Sequence, residues 1–454
     1  MTSARAGEFR LSRDELPMAR EILSCRLGRG AGVDELAFDS YSDYWREMLR
    51  VLHGQGGRGA GETIAVLDSG CAEDVARECG VVKTIDLTGE GAATSSEHGT
   101  AIAALLHLVA PDARQVHVKL YDRRETIPGD TYAGQVELVE RAFKLAREAG
   151  ATVVNLSWTY LTTLERHRPR DVRPGHFCRC PICSVVTQFV RKTDAEVFVA
   201  EGNFHYADGH ILTIGHRPTG AWSCPAAAAL AVPVLGYRDG RPWYNSNLDT
   251  TCAVPAPAEV CLRSAPEMSV SGSSFATPLV AATLAATRSA FRAAGFGRIA
   301  LPRNEETEGH ASTGYNFALD GLFVPPDPTN WSPNDPHAQW YVLIVNCHNQ
   351  AQRLEREGRH ADAARLCSLA AELVSVPYAR LNRWPWRPDI GAMAAHLHLA
   401  GIQYLCRAGD TEAAKASIPR ARDALTALAA RGQGMPDAEQ LLHSIETGLH
   451  LEFG

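Results

Sequence analysis

The chain has 454 residues, of which 45% are hydrophobic and 21% charged, a composition typical of globular proteins with two or three domains. Its net charge of −7 provides no basic surface for nucleic acid or an anionic membrane, so neither is an expected partner. We find neither the apolar core of a secretory signal nor an apolar run long enough to span a bilayer. We therefore expect a cytoplasmic protein whose 12 cysteines are mostly reduced.

Residues 1–62 are predicted to be a short extension that packs on the core, with a helix over residues 42–52. Residues 63–300 alternate continuous apolar runs with amphipathic stretches, such as the helical pattern over 136–149 that ends at Gly150. The apolar runs are residues 63–67, 116–120, 152–156, 197–200 and 229–235. This alternation predicts an α/β fold, in which a parallel sheet is flanked by helices on both faces.

Residues 301–337 are rich in Pro, Asn and Asp and are predicted to be a linker. Residues 338–454 have only helical periodicity and are predicted to form a separate all-α domain. Small and large residues there match the spacing of a tetratricopeptide-type helix pair, and the pattern returns about 50 residues later, although the usual period is 34. The matching residues are Ala351, Leu354, Gly358, Ala363, Ala370 and Leu373, followed by Gly401, Tyr404, Ala413 and Ala421. Plain helix-bundle packing is the alternative. A repeat-like unit would select substrates, bind a regulatory protein or mediate assembly.

Three polar motifs lie at the ends of the predicted elements. They are Asp68-Ser69-Gly70, His98-Gly99-Thr100 and Ser271-Gly272-Ser273-Ser274-Phe275-Ala276-Thr277-Pro278. Asp68 follows a strand, whereas His98 and Ser274 open helices, so the three can meet beyond the carboxyl ends of the strands. A serine hydroxyl needs an adjacent base to become a nucleophile; His98 can be that base, with Asp68 fixing its tautomer.

These motifs, in this order, resemble the subtilisin (subtilase) family over roughly residues 63–300. The family pattern Gly-Thr-Ser-x-Ala-x-Pro differs here only by Ser273 in place of threonine. Gly202-Asn203 follows the strand at 197–200, where the family has its oxyanion asparagine. The resemblance therefore implies a serine endopeptidase that acts on protein or peptide substrates. Asp68, His98 and Ser274 would be catalytic, and Asn203 would hold the oxyanion.

The resemblance also implies that Ser157, Trp158, Glu201 and Gly202 lie at the substrate-binding site. Where the family usually has an apolar residue and glycines after the serine, this chain has Trp158-Thr159-Tyr160, which could narrow or cover the S1 pocket. Glu201 could favour a basic P1 residue, or it could be an exposed loop carboxylate. Neither a family calcium site nor a compact folding prodomain is traceable in the sequence.

A cysteine-rich insertion follows the Ser157 strand. His176, Cys178, Cys180 and Cys183 could hold a structural Zn²⁺, with a following helix that starts at Pro181 or just after it. The fourth ligand is open, because Cys224, His205 or His210 could replace His176. A redox-sensitive thiol cluster and ordinary reduced cysteines are the alternatives. Catalysis itself would require no cofactor.

Two functions remain open on the sequence. The first is an intracellular endopeptidase for limited processing of a specific protein or peptide. It is suggested by an intact triad in a sequence where we find no export signal and where a repeat-like unit follows the predicted peptidase domain. The second is a catalytically silent adaptor that binds peptides or partner proteins on the same fold. A Ser274→Ala comparison separates them.

Overall fold

The fold is taken from a computed structural model of the chain. It describes residues 33–38, 44–94, 97–162, 180–203, 222–228, 230–238, 241–242, 254–262, 265–296, 347, 350–380, 388–430, 432 and 434–451. The predicted linker at 301–337 lies outside these ranges.

The centre of the fold is a parallel sheet, as the apolar runs predicted. Its strands are β2 (Thr63–Asp68), β3 (Val81–Asp86), β4 (Arg114–Lys119), β5 (Val153–Leu156), β7 (Glu196–Ala200), β9 (Val232–Arg238), β10 (Arg241–Pro242) and β11 (Val254–Pro257). They are ordered β10-β9-β7-β5-β2-β4-β3, with β11 also on β9. Within the described residues seven strands are parallel, and β10 alone runs antiparallel.

Short antiparallel pairings accompany this sheet. The remaining strands are β1 (Leu36–Ala37), β6 (Tyr160–Thr162), β8 (Trp222–Cys224), β12 (Glu259–Leu262) and β13 (Ala265–Ser271). β1 pairs with β12, and β12 with β13, whereas β6 pairs with β8. The β6–β8 pair matters for the site because it continues directly from β5.

Helices cover both faces of the sheet and form the C-terminal region. They are α1 (Tyr44–Gly54), α2 (Glu73–Glu78), α3 (His98–Val109), α4 (Tyr132–Glu148), α5 (Pro181–Lys192), α6 (Ser273–Ala293), α7 (His360–Arg380), α8 (Pro388–Arg407), α9 (Thr411–Ala429) and α10 (Pro436–Leu451). Among the described residues, no helix is both long and apolar enough to cross a membrane.

Alternate residues of the strands enter two separate hydrophobic cores. Ile64 and Val66 of β2 lie in one core with α3 and α6, whereas Ala65 and Leu67 lie in the other with α4 and α5. Successive side chains of a strand point to opposite faces, so a strand covered on both sides must be apolar at every position. This is why the central strands are recognisable in the sequence as continuous apolar runs.

The first core extends beyond the sheet into both ends of the chain. Trp45, Met48 and Leu49 of α1 are buried in the same cluster as residues of α6 and of the C-terminal helices. Gln55, just after α1, donates a 2.8 Å hydrogen bond to Glu372 of α7. The C-terminal region is therefore helical and packs on the rest of the protein through α1. A tetratricopeptide-like repeat and the domain boundaries stay predictions.

A buried arginine joins α6 to the amino-terminal ends of three strands. Arg288 Nη2 lies 3.4 Å from Glu196 Oε1, and Nη1 lies 3.8 Å from Glu62 Oε2. Nη1 also donates a 3.2 Å hydrogen bond to the carbonyl of Thr152. All three charged side chains are buried, and Arg292 contacts Glu62 from the surface side. The network ties α6, the helix that begins next to Ser274, to β2, β5 and β7.

Replacing Arg288 with methionine should lower the free energy of unfolding by about 3–5 kcal/mol, since the change leaves the buried Glu196 carboxylate without its arginine and removes one of the two arginines at Glu62. Arg292→Met, which removes a side chain that is 42% exposed, should cost much less. Urea denaturation of both variants in the Ser274→Ala background measures the difference. Equal losses for the two arginines would contradict the assigned role of the buried network.

Candidate active site

Asp68 and His98 form a buried hydrogen-bonded pair at the carboxyl end of β2. The His98 Nδ1 atom lies 2.8 Å from Asp68 Oδ1, and the backbone N–H of Ser69 donates to the same oxygen at 2.7 Å. Asp68 is 0% and His98 1% exposed. A carboxylate on Nδ1 orients the ring and leaves Nε2 as the nitrogen that can act as a base.

Two glycines allow β2 and α3 to approach closely enough for this pair. A Cβ atom at Gly99 would lie 2.1 Å from the carbonyl oxygen of Gly70, a distance that no side chain tolerates. Gly70 itself has φ of +90°, a conformation that favours glycine. The Gly99 N–H donates a 3.0 Å hydrogen bond to Ser69 Oγ. Gly70 and Gly99 are therefore needed for the close contact between the end of β2 and the start of α3.

Two other titratable side chains, His117 and Tyr121, lie near Asp68 but carry no charge near neutral pH. Burial lowers the pKa of His117 to about 4, against a smaller opposite effect of the Asp68 carboxylate. Burial also raises the pKa of Tyr121 well above its ordinary value, with Asp68 adding to the shift. Both groups are therefore uncharged near neutral pH, so an imidazolium on His98 is the positive charge that Asp68 would stabilise.

Ser274 lies in the first turn of α6, one residue before a phenylalanine whose ring lies near His98. The ring of the next residue, Phe275, is 5.7 Å from the ring of His98, centroid to centroid. Gly272, which has φ of 152°, is the N-cap residue that precedes the helix. Unpaired N–H groups at a helix N-terminus favour negative charge, so this position suits a developing oxyanion. Ser274 is 0% exposed, so its side chain is inaccessible to a peptide in this conformation.

Ser157 holds the backbone of this serine with its side chain. Its hydroxyl donates a 2.7 Å hydrogen bond to the carbonyl of Ser274 and accepts one of 2.9 Å from Asn155 Nδ2. All three residues are fully buried. The Ser157 hydroxyl therefore positions the backbone of Ser274, and a place for Ser157 at the substrate-binding site stays a prediction. Asn155 was missed, although a polar residue inside an apolar strand was a signal for it.

Asn203 is oriented by the residue before Ser274. Its Oδ1 atom accepts hydrogen bonds from the backbone N–H of Ser273 at 3.0 Å and from the Ser273 hydroxyl at 2.9 Å. The Ser273 hydroxyl in turn accepts a 3.1 Å bond from the N–H of Gly202. The oxygen end of the amide is thus fixed, and its NH₂ end is the end that can donate to a substrate oxygen. A hydroxyl at position 273 is what this network requires.

Ser273→Ala should lower kcat about tenfold with little change in KM, because the Asn203 amide loses one of its orienting bonds. Ser273→Thr keeps the hydroxyl and should retain activity within about twofold. Steady-state kinetics on one cleavable peptide compares the two variants. Equal rates for the alanine and threonine variants would show that the hydroxyl does not position Asn203.

Three substrate-site predictions remain, and the one for Gly202 stays a prediction. Trp158 is fully buried, its Nε1 donates to the Leu67 carbonyl at 2.8 Å, and its ring packs edge-on to Tyr121. Its side chain belongs to the core that contains Leu67 and Tyr121, and the idea that it narrows or covers the S1 pocket stays a prediction. Glu201 is also fully buried, so the exposed-carboxylate alternative is wrong. Its contact with a basic P1 residue stays a prediction.

The cysteine-rich insertion is only partly described. Helix α5 begins at Pro181, as predicted, and Cys180 is its N-cap. The Sγ atoms of Cys180, Cys183 and Cys224 all lie within 4.8 Å of one another. His176, Cys178, His205 and His210 lie outside the described residues. The structure thus places Cys224, one of the distant candidate ligands, next to the Cys180-x-x-Cys183 pair.

A family model matches the region that contains the sheet, and a curated relative matches part of the chain. The model of the subtilase family matches residues 59–299. Mycosin-4 of Mycobacterium tuberculosis (strain ATCC 25618 / H37Rv) is 30% identical over 119 residues, which cover 22% of this chain and only 25% of that relative's length.

Two solved structures show lower identity. The prenylagaramide maturation protease PagA is 19% identical with a TM-score of 0.41, covering 55% of this chain and 83% of that chain. The MycP3 protease from the type VII (ESX-3) secretion system is 20% identical with a TM-score of 0.42, covering 64% and 83%. The family match spans more than half of the sequence and contains all three polar motifs. The chain therefore belongs to the subtilase family.

Proposed function

We propose that the protein is a serine endopeptidase that uses Asp68, His98 and Ser274. The observation that carries the proposal is the buried 2.8 Å pair of His98 and Asp68, whose imidazole packs against the residue after Ser274. A carboxylate, an imidazole and a serine in this arrangement are what acyl transfer by a serine nucleophile requires.

In the proposed reaction, His98 takes the Ser274 hydroxyl proton as the oxygen attacks the scissile carbonyl carbon. The oxyanion of the tetrahedral intermediate receives hydrogen bonds from the Asn203 amide and the Ser274 backbone N–H. His98 then passes its proton to the leaving amine, and the C–N bond breaks to give an acyl-enzyme. Water, deprotonated by His98, hydrolyses the ester and restores Ser274. Asp68 keeps Nδ1 protonated throughout, and the proposed steps use no metal or cofactor.

Limited processing, rather than general digestion, is the biological task we propose. The burial of Ser274 and His98 supports it, because a peptide must first gain access to the nucleophile. The C-terminal helices, packed on the rest of the protein through α1, are proposed to bind the substrate or a regulatory protein. We further propose that the protein works in the cytoplasm.

The test is a cleavage profile on a peptide library made from a cell proteome. The intact proteins of the same cells are tested as a second set of substrates. Wild type should generate new N-termini after a restricted set of residues, and Ser274→Ala should generate none of them. Peptides retained by both proteins without any Ser274-dependent cut would instead identify the protein as a binding adaptor. Cleavage by both proteins at the same sites would mean that Ser274 is not the nucleophile.

A further inference from the structure

Three cysteines from two distant parts of the chain meet at the N-terminus of α5. Cys180 caps α5 and Cys183 lies in its first turn, whereas Cys224 ends β8. Their Sγ atoms lie within 4.8 Å of one another, and all three residues are buried. Only folding brings Cys224 to the other two, so the grouping is a property of the structure and not of the local sequence.

The chemistry of the cluster fits one type of ligand. Thiolates are soft donors that favour Zn²⁺, and a tetrahedral site with Zn–S bonds of about 2.3 Å separates its sulfurs by about 3.8 Å. The observed sulfur separations fall within 4.8 Å, so small side-chain movements are enough to reach that geometry. The Cys-x-x-Cys spacing of the first two cysteines is also that of zinc sites.

A helix N-terminus and one backbone N–H group lie at the cluster. The N–H of Cys183 donates to Cys180 Sγ at 3.5 Å, and both residues lie at the N-terminus of the 12-residue helix α5. A helix N-terminus stabilises negative charge, which lowers the free energy of a site where three thiolates surround one divalent cation. We propose that Cys180, Cys183 and Cys224 bind one structural Zn²⁺. Each thiol releases its proton on binding, so the affinity falls as the pH falls.

The zinc site would brace the segment that follows the Ser157 strand. The Thr159 hydroxyl donates a 2.8 Å hydrogen bond to the carbonyl of Cys224, and Tyr160 pairs with Cys224 across the β6–β8 ladder. Ser157, two residues before Thr159, bonds to the Ser274 carbonyl. The metal would thus connect α5 to the β6–β8 pair, whose first strand follows Ser157 in the chain. Its role is structural, since the proposed reaction uses no metal.

Metal content of protein purified under reducing conditions tests the proposal, and Ser274→Ala protein makes the result independent of peptidase activity. We expect one zinc per chain by elemental analysis, retained in Cys79→Ala, which removes a buried cysteine from the other core. Cys183→Ser and Cys224→Ser should each lose the metal. Stoichiometric zinc in both of these variants would overturn the site.

A second measurement covers the case in which the serine variants do not fold. Wild-type protein is alkylated before and after treatment with a chelator, and the modified cysteines are mapped by mass spectrometry. Cys180, Cys183 and Cys224 should become reactive together only after metal removal. Co²⁺ in place of zinc should give thiolate-to-metal charge-transfer absorption. Absence of metal, iron in place of zinc, or a disulfide between two of the three would each overturn the proposal.

Discussion

Replacing Ser274 with alanine should lower kcat by about 10⁶, the loss that follows removal of the nucleophile in subtilisin itself. The change deletes the only atom that forms the acyl bond in the proposed reaction, while Asn203 and the remaining binding contacts persist. KM should therefore change little. The rates are measured under single-turnover conditions on a peptide selected from the library profile.

The interpretation requires that the variant keeps its fold. Ser274 is fully buried and its backbone carbonyl is held by Ser157, so loss of one hydroxyl should leave the packing of α6 intact. The thermal midpoint and the circular dichroism spectrum of the variant check this point. A well-folded Ser274→Ala protein that retains more than about a tenth of the wild-type kcat would exclude this serine as the nucleophile.

Asp68→Asn should lower kcat by about 10⁴ near neutral pH. Asp68 Oδ1 accepts the bond from His98 Nδ1, and an amide in its place can donate to that nitrogen and hold the wrong tautomer. The imidazolium would also lose its counter-charge, because His117 and Tyr121 are neutral neighbours. Initial rates across pH 5–9 measure the loss and its pH dependence.

Asp112→Asn is the matched control for this variant. Asp112 is exposed in an ion pair with Arg58 and lies outside the candidate site, so the same chemical change should leave kcat within about twofold. A similar loss in both variants would point to a general effect of charge on folding. A loss of less than tenfold for Asp68→Asn alone would mean that this carboxylate does not orient His98.

The central strands and the polar motifs were predictable because each leaves a local signal. A strand buried on both faces is apolar at every position, as residues 63–67 are, and glycines mark the close approach of Asp68 and His98. Strand β3 was missed because it lies at the sheet edge, where polar residues are tolerated. The run 229–235 was placed too early, because Leu230 has φ of 66° and the strand starts only at Val232.

Other features depend on three-dimensional contacts that no spacing rule encodes. The orientation of Trp158 follows from its bond to the Leu67 carbonyl, and the role of Ser157 follows from its bond to Ser274. Likewise, Arg288 meets its two carboxylates only after α6 has packed on the sheet. Local pattern therefore predicts which residues carry the chemistry, whereas tertiary contacts decide which neighbours position them.

Labelling with a fluorophosphonate probe, followed by peptide mapping, tests most directly whether Ser274 is an activated nucleophile. The account predicts that wild type incorporates the probe on Ser274 and that His98→Ala and Ser274→Ala do not. Because Ser274 is buried, labelling should be slow without substrate or partner and should continue to completion over long incubation. Failure of folded wild-type protein to label on Ser274, both alone and with the substrates found by profiling, would contradict the account.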